Sequence, residues 1–452
     1  MISITKLSNN FEIVDLINGT QLTKESLSRF ASGYQQLFLN NNLVKGDRVG
    51  LAMQEDFHHL ACVFAAIDYG LIIVISGEHE ITNEYTSRRN IKAMITRGIQ
   101  PCTIHADNCT HLDLDDISVT EDMFEGVETY IIDHSEVLIE ALTSGSTGVP
   151  KCIQHTHKSV ESATDDSIRL YWKEANTSWF FHNIVHLGVS SVYFFPALFS
   201  SKRIVLPRLD NPYNAEDLDK YKPDMMLIFP VHFQLYAKQG IHLRNFDYVK
   251  WVLTGGSVID NSFIRRLVKN QGVEKVAVIY GLTECLPPLI HKVVDKHNLD
   301  LYNSKEMGSI VDNTGSYDIN ENEILTIEGS SHMCKSINDE SVDVFVTQDI
   351  VSADTDTFYF EKRNSDLIRI DDQLINPQQL VPNWLEGYCC VFSISQTHVV
   401  VVMQHKDVNV KQLVQKLADN GISVDKLVTH IELNVLGKPN INKLKGIYEK
   451  GN

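Results

Sequence analysis

The chain of 452 residues carries 40 Lys and Arg against 58 Asp and Glu, a net charge of −18, with 43% hydrophobic and 22% charged residues. That composition excludes a disordered or fibrous chain, and the acidic balance argues against nucleic acid as a partner, because neutralising a phosphate backbone takes clustered Lys and Arg. A nucleotide ligand needs only a local site, and at roughly 150 residues per domain the length suggests two to three domains or subdomains.

The N-terminal residues lack a basic stretch followed by an apolar run, so no signal peptide is expected. Residues 23–41 place Leu27, Phe30, Tyr34, Leu37 and Phe38 at the 3.6-residue period of an amphipathic helix. Residues 49–53 read as a strand, 57–69 as a helix and 71–75 (LIIVI) as a strand buried on both faces, as in parallel sheets covered by helices. Asp68 and Gly70 break the apolar stretch 60–76, which therefore reads as buried helix and strand, with no membrane span. The eight cysteines (Cys62, Cys102, Cys109, Cys152, Cys285, Cys334, Cys389, Cys390) are irregularly spaced and read as reduced thiols of a cytoplasmic protein.

Residues 105–128 hold eight acids and no Lys or Arg, which suits a solvated surface loop or a partner-docking loop. Short apolar runs then recur at 137–142 (VLIEAL), 179–181, 203–206 (RIVL), 226–229 (MLIF), 251–254 (WVLT) and 276–279 (VAVI), separated by helical stretches. The expected fold class is α/β with mostly parallel sheet. Beyond about residue 363 the character changes. Residues 389–394 and 399–403 read as strands and 410–417 as a helix stopped by Asn420-Gly421, a small α+β unit.

Two stretches carry chemistry. Thr143, Ser144, Gly145, Ser146, Thr147, Gly148 and Lys151 lie in the nine residues TSGSTGVPK after an apolar run. Glycines let backbone N–H groups approach an anion, hydroxyls donate to it and Lys neutralises it, so the stretch suits a phosphate-wrapping loop, although a Ser/Gly-rich surface turn has the same composition. It is not the G-x-x-x-x-G-K-[ST] pattern. Tyr280-Gly281-Leu282-Thr283-Glu284 follows the run VAVI, where ligands collect at strand C-terminal ends. Thr283 can hold a phosphate oxygen and Glu284 can ligate Mg²⁺. An ordinary strand-to-loop turn is the plainer alternative.

In this order the motifs resemble the adenylate-forming superfamily: acyl- and aryl-CoA synthetases, nonribosomal peptide synthetase adenylation domains and luciferase. GDRV (46–49) resembles an early family segment, TSGSTGVPK the phosphate loop, and His157 lies where the family often has a His. Gly255, Gly256 and Ser257 resemble the turn beside the adenine and acyl pocket. YGLTE matches Y-G-x-T-E, Thr347-Gln348-Asp349 resembles T-G-D, whose Asp would hold the ribose, and Arg363 opens a segment like G-R-x-D-x-I-K. Lys438 falls on the C-terminal Lys used in adenylation. The resemblance spans nearly the whole chain. It implies a large N-terminal AMP-binding region of sheets flanked by helices (1–364) and a small mobile C-terminal lid domain (365–452), with Ser365 at the hinge.

It further implies an AMP-forming ligase using ATP and Mg²⁺. Lys438, Thr283 and Glu284 would be catalytic, and the phosphate loop, Gly255, Gly256, Tyr280, Asp349 and Arg363 would bind the cofactor. His186, Gly188, Ser257, Gly281 and Leu282 would line the acid's pocket. Amino-acid-activating relatives carry an Asp where Leu187 or Gly188 stands here, so an aromatic or aliphatic acid without an α-amine is expected. The acceptor would be a thiol, CoA or carrier-protein phosphopantetheine. Gln348 and Cys152 stand where the family has Gly. So does Asp372, in the loop expected to flank the pantetheine, which raises an amine acceptor or a nucleotide-binding pseudoenzyme as alternatives. Cys102, His105, Cys109 and His111 lack the usual zinc spacing, and neither H-E-x-x-H nor G-x-S-x-G occurs.

Overall fold

The apolar runs assemble into two large sheets in the computed structural model. It describes residues 2–54, 56–75, 83–97, 109–114, 130–143, 151–180, 187–236 and 239–363, and then 368–370, 373–375, 380–381, 389–393, 398–403 and 409–428. The smaller sheet has eight strands in the order Glu340–Ser341, Ser336–Ile337, Lys151–Thr156, Val137–Thr143, Ile72–Ile75, Arg48–Met53, Ile91–Arg97 and Thr110–Asp113. Its middle is parallel, as the run LIIVI predicts. The helix predicted over 23–41 spans Lys24–Asn40, with the Thr23 side chain accepting from the Ser26 amide. Helix Phe57–Asp68 is capped by Asp56, which accepts from the His58 and His59 amides, and is buried on nearly every side. Its residues join those of both sheets in one apolar core.

The larger sheet has thirteen strands. From Arg203–Leu206 through Thr177–Trp179, Met225–Leu227 and Trp251–Gly255 to Lys275–Tyr280, neighbours run parallel. The expectation of mostly parallel sheet fails beyond Tyr280. There Ile290–Asp295, Glu306–Ile310, Thr357–Arg363, Val344–Asp354, Ile324–Glu328 and Ser316–Ile319 continue the sheet antiparallel. Two predicted strands end early, at Trp179 and at Leu227. The acidic stretch contains a real strand, Thr110–Asp113, pairing with Ile91–Arg97, while 115–128 lie outside the described residues.

In the C-terminal part, Cys389–Ser393, His398–Met403 and Ser423–Val428 form a three-stranded sheet with helix Lys411–Asp419. Val391, Val399, Val401, Leu413 and Leu417 make its own core. The helix stops at Asn420, and Gly421 takes φ +75°, the left-handed conformation that ends helices. No helix among the described residues is long and apolar enough to cross a membrane.

Asp68 closes its helix inside the core and accepts from the Ile4 amide at 3.3 Å. Burial pushes its carboxyl from 3.8 up to about 6, against hydrogen bonds from Ser3 and Ile4. A raised carboxyl favours the protonated folded state, so its contribution is full below pH 3.8 and lost as pH rises through about 6. Asp68→Asn, always neutral, is therefore expected to stabilise the protein at pH 7 by about 1–3 kcal/mol and to change little at pH 4. Urea unfolding at both pH values measures this, and equal effects at the two would refute it.

Candidate active site

Backbone packing at the ends of the parallel strands explains two glycines. Gly255 ends strand Trp251–Gly255 opposite Ile279, and a Cβ there would lie 2.2 Å from the Ile279 carbonyl oxygen. A Cβ on Gly281, the first residue after strand Lys275–Tyr280, would lie 2.5 Å from Pro287 Cβ. Gly256 takes φ +73° with open space around it, and Ser257 is exposed. Gly188 also meets Pro287, its would-be Cβ 3.6 Å from Pro287 Cγ, and Ser191 Oγ donates to the Pro287 carbonyl at 2.8 Å. Gly188 and Gly281 thus converge on Pro287, which the sequence reading passed over. Leu282 is half-buried, its amide donating to the Cys285 carbonyl at 2.9 Å.

At the same sheet end Tyr280 Oη donates to Asp349 Oδ2 at 2.7 Å, and Arg363 Nε lies 3.2 Å from Asp349 Oδ1. Asp349 and Arg363 meet because they are register partners on strands Val344–Asp354 and Thr357–Arg363. Asp349 is buried, and its amide donates to Thr347 Oγ1 at 3.0 Å. Burial and the adjacent Asp349 carboxylate push the Tyr280 phenol well above its ordinary value, so it remains a donor. Gln348, where a Gly was expected, is exposed and has no left-handed backbone, so the strand accepts a side chain there.

Burial raises the Glu284 carboxyl, while Lys151 and Arg363 pull it down and Asp349 pushes it up. Lys151, Glu284, Asp349 and Arg363 therefore share one electrostatic neighbourhood. Thr143 and Lys151 are paired across the antiparallel strands Val137–Thr143 and Lys151–Thr156, which bring together the two ends of the stretch expected to wrap phosphates. Ser144, Gly145, Ser146, Thr147 and Gly148 lie outside the described residues, as do His186, Ser365, Asp372 and Lys438. Cys152 is buried, its thiol pushed up to about 12 by burial, and its amide donates to Asn338 Oδ1 at 2.9 Å.

The histidine singled out after the loop is not the one that touches YGLTE. His157 opens helix His157–Ser167, and its buried Nδ1 has no hydrogen-bond partner among the described residues. It is His155, two residues earlier, whose Nε2 lies 2.7 Å from the Thr283 carbonyl oxygen. Strand alternation puts residues 155 and 157 on one side, but the chain has already turned into helix at His157. Of the four residues weighed as zinc ligands, Cys102 and His105 lie outside the described residues, and His111 Nε2 is 2.9 Å from Thr96 Oγ1. No group of metal-ligating side chains occurs among the described residues.

The donor set fits a nucleotide: a buried acid between a phenol and a guanidinium, a partly buried acid near a lysine, and a loop whose ends are pinned together. The chain belongs to the AMP-binding enzyme family, whose model matches residues 10–324. Enzymes of this family are ATP-dependent ligases. Solved structures of the same fold include the McyG A-PCP protein complexed with phenylalanyl-adenylate, at 15% identity and TM-score 0.80, covering 100% of this chain and 96% of that one. The o-succinylbenzoate CoA synthetase MenE of Bacillus subtilis follows at 16% identity and TM-score 0.78, covering 97% of this chain and 95% of that one. The amide bond synthetase McbA of Marinactinospora thermotolerans has 13% identity and TM-score 0.76, covering 98% of each chain. At these identities the likeness is one of fold. A search of curated proteins gives no match.

Proposed function

We propose that the protein is an AMP-forming ligase that activates an aromatic or aliphatic carboxylic acid with Mg-ATP and passes the acyl group to a thiol, CoA or carrier-protein phosphopantetheine, in the cytoplasm. The cluster of Tyr280, Asp349 and Arg363 beside Glu284 and Lys151 carries this assignment. A carboxylate oxygen of the acid attacks the α-phosphorus of ATP, the bond from that phosphorus to the bridging oxygen breaks, and pyrophosphate leaves with the electron pair. A thiol then attacks the acyl carbon and AMP departs.

Asp349 accepts from the ribose hydroxyls with Tyr280 and Arg363 holding its carboxylate in place, and residues 143–151 hold the β- and γ-phosphates. Gly255 and Gly256 border the adenine. Glu284 holds Mg²⁺, which offsets charge on the phosphates. Thr283 contacts a phosphate oxygen, and Lys438, on the small C-terminal unit from residue 365 onward, bridges the acid and the α-phosphate. Gly188, Gly281, Leu282, Ser257 and His186 line the acid pocket, with Pro287 in reach of both glycines. Neither buried Leu187 nor Gly188 offers a carboxylate to an ammonium, which supports an acid without an α-amine.

ATP–pyrophosphate exchange across aromatic and aliphatic acids, with α-amino acids as control, tests this. Exchange with one class of the former is expected. Exchange with α-amino acids alone would overturn the substrate class, and ATP binding without exchange for any acid would favour a pseudoenzyme. Asp372, in the loop expected beside the pantetheine, motivates one second reading, an amine acceptor giving an amide. Amide without thioester from the same acyl-adenylate would establish it.

A further inference from the structure

Residues 281–286 form a short loop whose shape is set from behind by buried groups. The Leu282 amide donates to the Cys285 carbonyl at 2.9 Å, and the Cys334 amide to the Glu284 carbonyl at 2.9 Å. The Leu286 amide donates to the His332 carbonyl at 3.0 Å, and His332 Nδ1 returns a contact of 3.0 Å to the Leu286 carbonyl. Between them, His155 Nε2 meets the Thr283 carbonyl at 2.7 Å, the shortest of these bonds.

His155 is fully buried on strand Lys151–Thr156, four residues after Lys151. A carbonyl only accepts, so Nε2 carries the proton. Burial lowers the ring to about 4, which keeps it neutral, so Nδ1 is an acceptor; it lies 3.2 Å from Ser159 Oγ, whose hydroxyl donates to the Thr156 carbonyl at 3.1 Å. One imidazole thus links the strand that leaves the phosphate loop to the backbone between Thr283 and Glu284. It fixes the carbonyl inward, and with it the direction in which those two side chains leave the chain.

We propose that His155 is a positioning residue that sets Thr283 and Glu284 relative to Lys151. It touches no substrate and acts through the Thr283 peptide. The inference rests on the ligase assignment for its consequence in catalysis, but its geometry stands apart from it.

Two carboxamide variants distinguish loss of this hydrogen bond from loss of the ring's bulk. His155→Gln keeps a donor at the Nε2 position, whereas His155→Asn falls short of it with the same chemistry. Thr283 and Glu284 are assigned to a phosphate oxygen and to Mg²⁺, which are present in bound ATP as well as in the transition state, so the Asn variant is expected to lose about 10- to 100-fold in kcat/KM for ATP in the exchange reaction, and Gln to recover most of it. Hydrogen exchange of the Leu282 and Leu286 amides supplies a readout independent of catalysis: slow in the wild-type protein and the Gln variant, fast in the Asn variant. His155→Leu, which also lacks the donor, replaces Asn if that amide unfolds the core. Equal amide protection in all the proteins, or a wild-type rate without the donor, overturns the proposal. A wild-type protein inactive with every acid, with protection lost only where the donor is lost, overturns the ligase assignment and upholds His155 as the anchor of the loop.

Discussion

Lys438→Ala is expected to slow acid-dependent ATP–pyrophosphate exchange by about two to four orders of magnitude while the unfolding midpoint stays put. The reaction brings two anions together, a carboxylate and the α-phosphate. As the new bond forms, charge builds on the oxygens between them. A cation bridging both is worth most at that moment and little when either partner is bound alone. An interaction made only in the transition state appears in kcat and kcat/KM together, with KM for ATP little changed. A loss confined to KM would instead place Lys438 among groups that merely bind the nucleotide. Exchange at the wild-type rate would remove Lys438 from the reaction and, with it, the role drawn for the C-terminal unit. The pairing of Tyr280, Asp349 and Arg363 lies on other residues and would survive that result.

What the sequence made legible follows from where the information lies. The parallel half of the large sheet was readable because its strands are short continuous apolar runs, such as RIVL and WVLT, buried on both faces. The antiparallel half was not, because a strand such as Ser316–Ile319 alternates exposed and half-buried residues and carries Ser and Asp, so no run stands out. Candidate site residues whose expected roles lie in side-chain chemistry, such as Asp349 and Glu284, could be picked from motifs. His155 could not, because its partner is a backbone carbonyl 128 residues away, and a carbonyl leaves no mark in a sequence. Pro287 is missed for a related reason. Its importance lies in the two glycines that close on it, and that approach exists only in three dimensions.

The same limit hid an ionic hub on the strands that flank residues 144–150. Glu140 lies on strand Val137–Thr143, fully buried, three residues before the loop begins. It accepts from Arg89 Nε at 2.8 Å and Arg89 Nη2 at 2.7 Å, from Arg48 Nε at 2.9 Å, from Tyr85 Oη at 2.9 Å and from Gln154 Nε2 at 2.9 Å. Arg89 goes on to Asp339 at 2.6 Å and 3.0 Å, in the turn whose Asn338 holds the Cys152 amide. The run VLIEAL shows the Glu but gives no hint of two arginines 51 and 92 residues distant.

Glu140→Gln is expected to cost about 3–5 kcal/mol at pH 7, because it leaves two guanidinium groups facing a neutral amide inside the protein. Burial alone would push the Glu140 carboxyl up, but hydrogen bonds from Arg89, Gln154 and Arg48 overcome it and hold the group at about 2, against 4.5 ordinarily. A lowered carboxyl contributes its stability above pH 4.5 and loses it as pH falls through about 2, a swing of about 3 kcal/mol. The Gln variant should therefore be less stable at pH 7 and also flatter in stability between pH 4.5 and pH 2 than the wild-type protein. Urea midpoints across that range measure both. A variant within about 1 kcal/mol of wild type at pH 7 would mean that the arginines find other partners, as exposed pairs do. A destabilised variant with the wild-type slope would mean that the cost is packing and not charge. Because the hub ties together both strands that flank residues 143–151 and the 338–339 turn, the loss should also loosen the loop, raising KM for ATP under conditions where the variant is still folded.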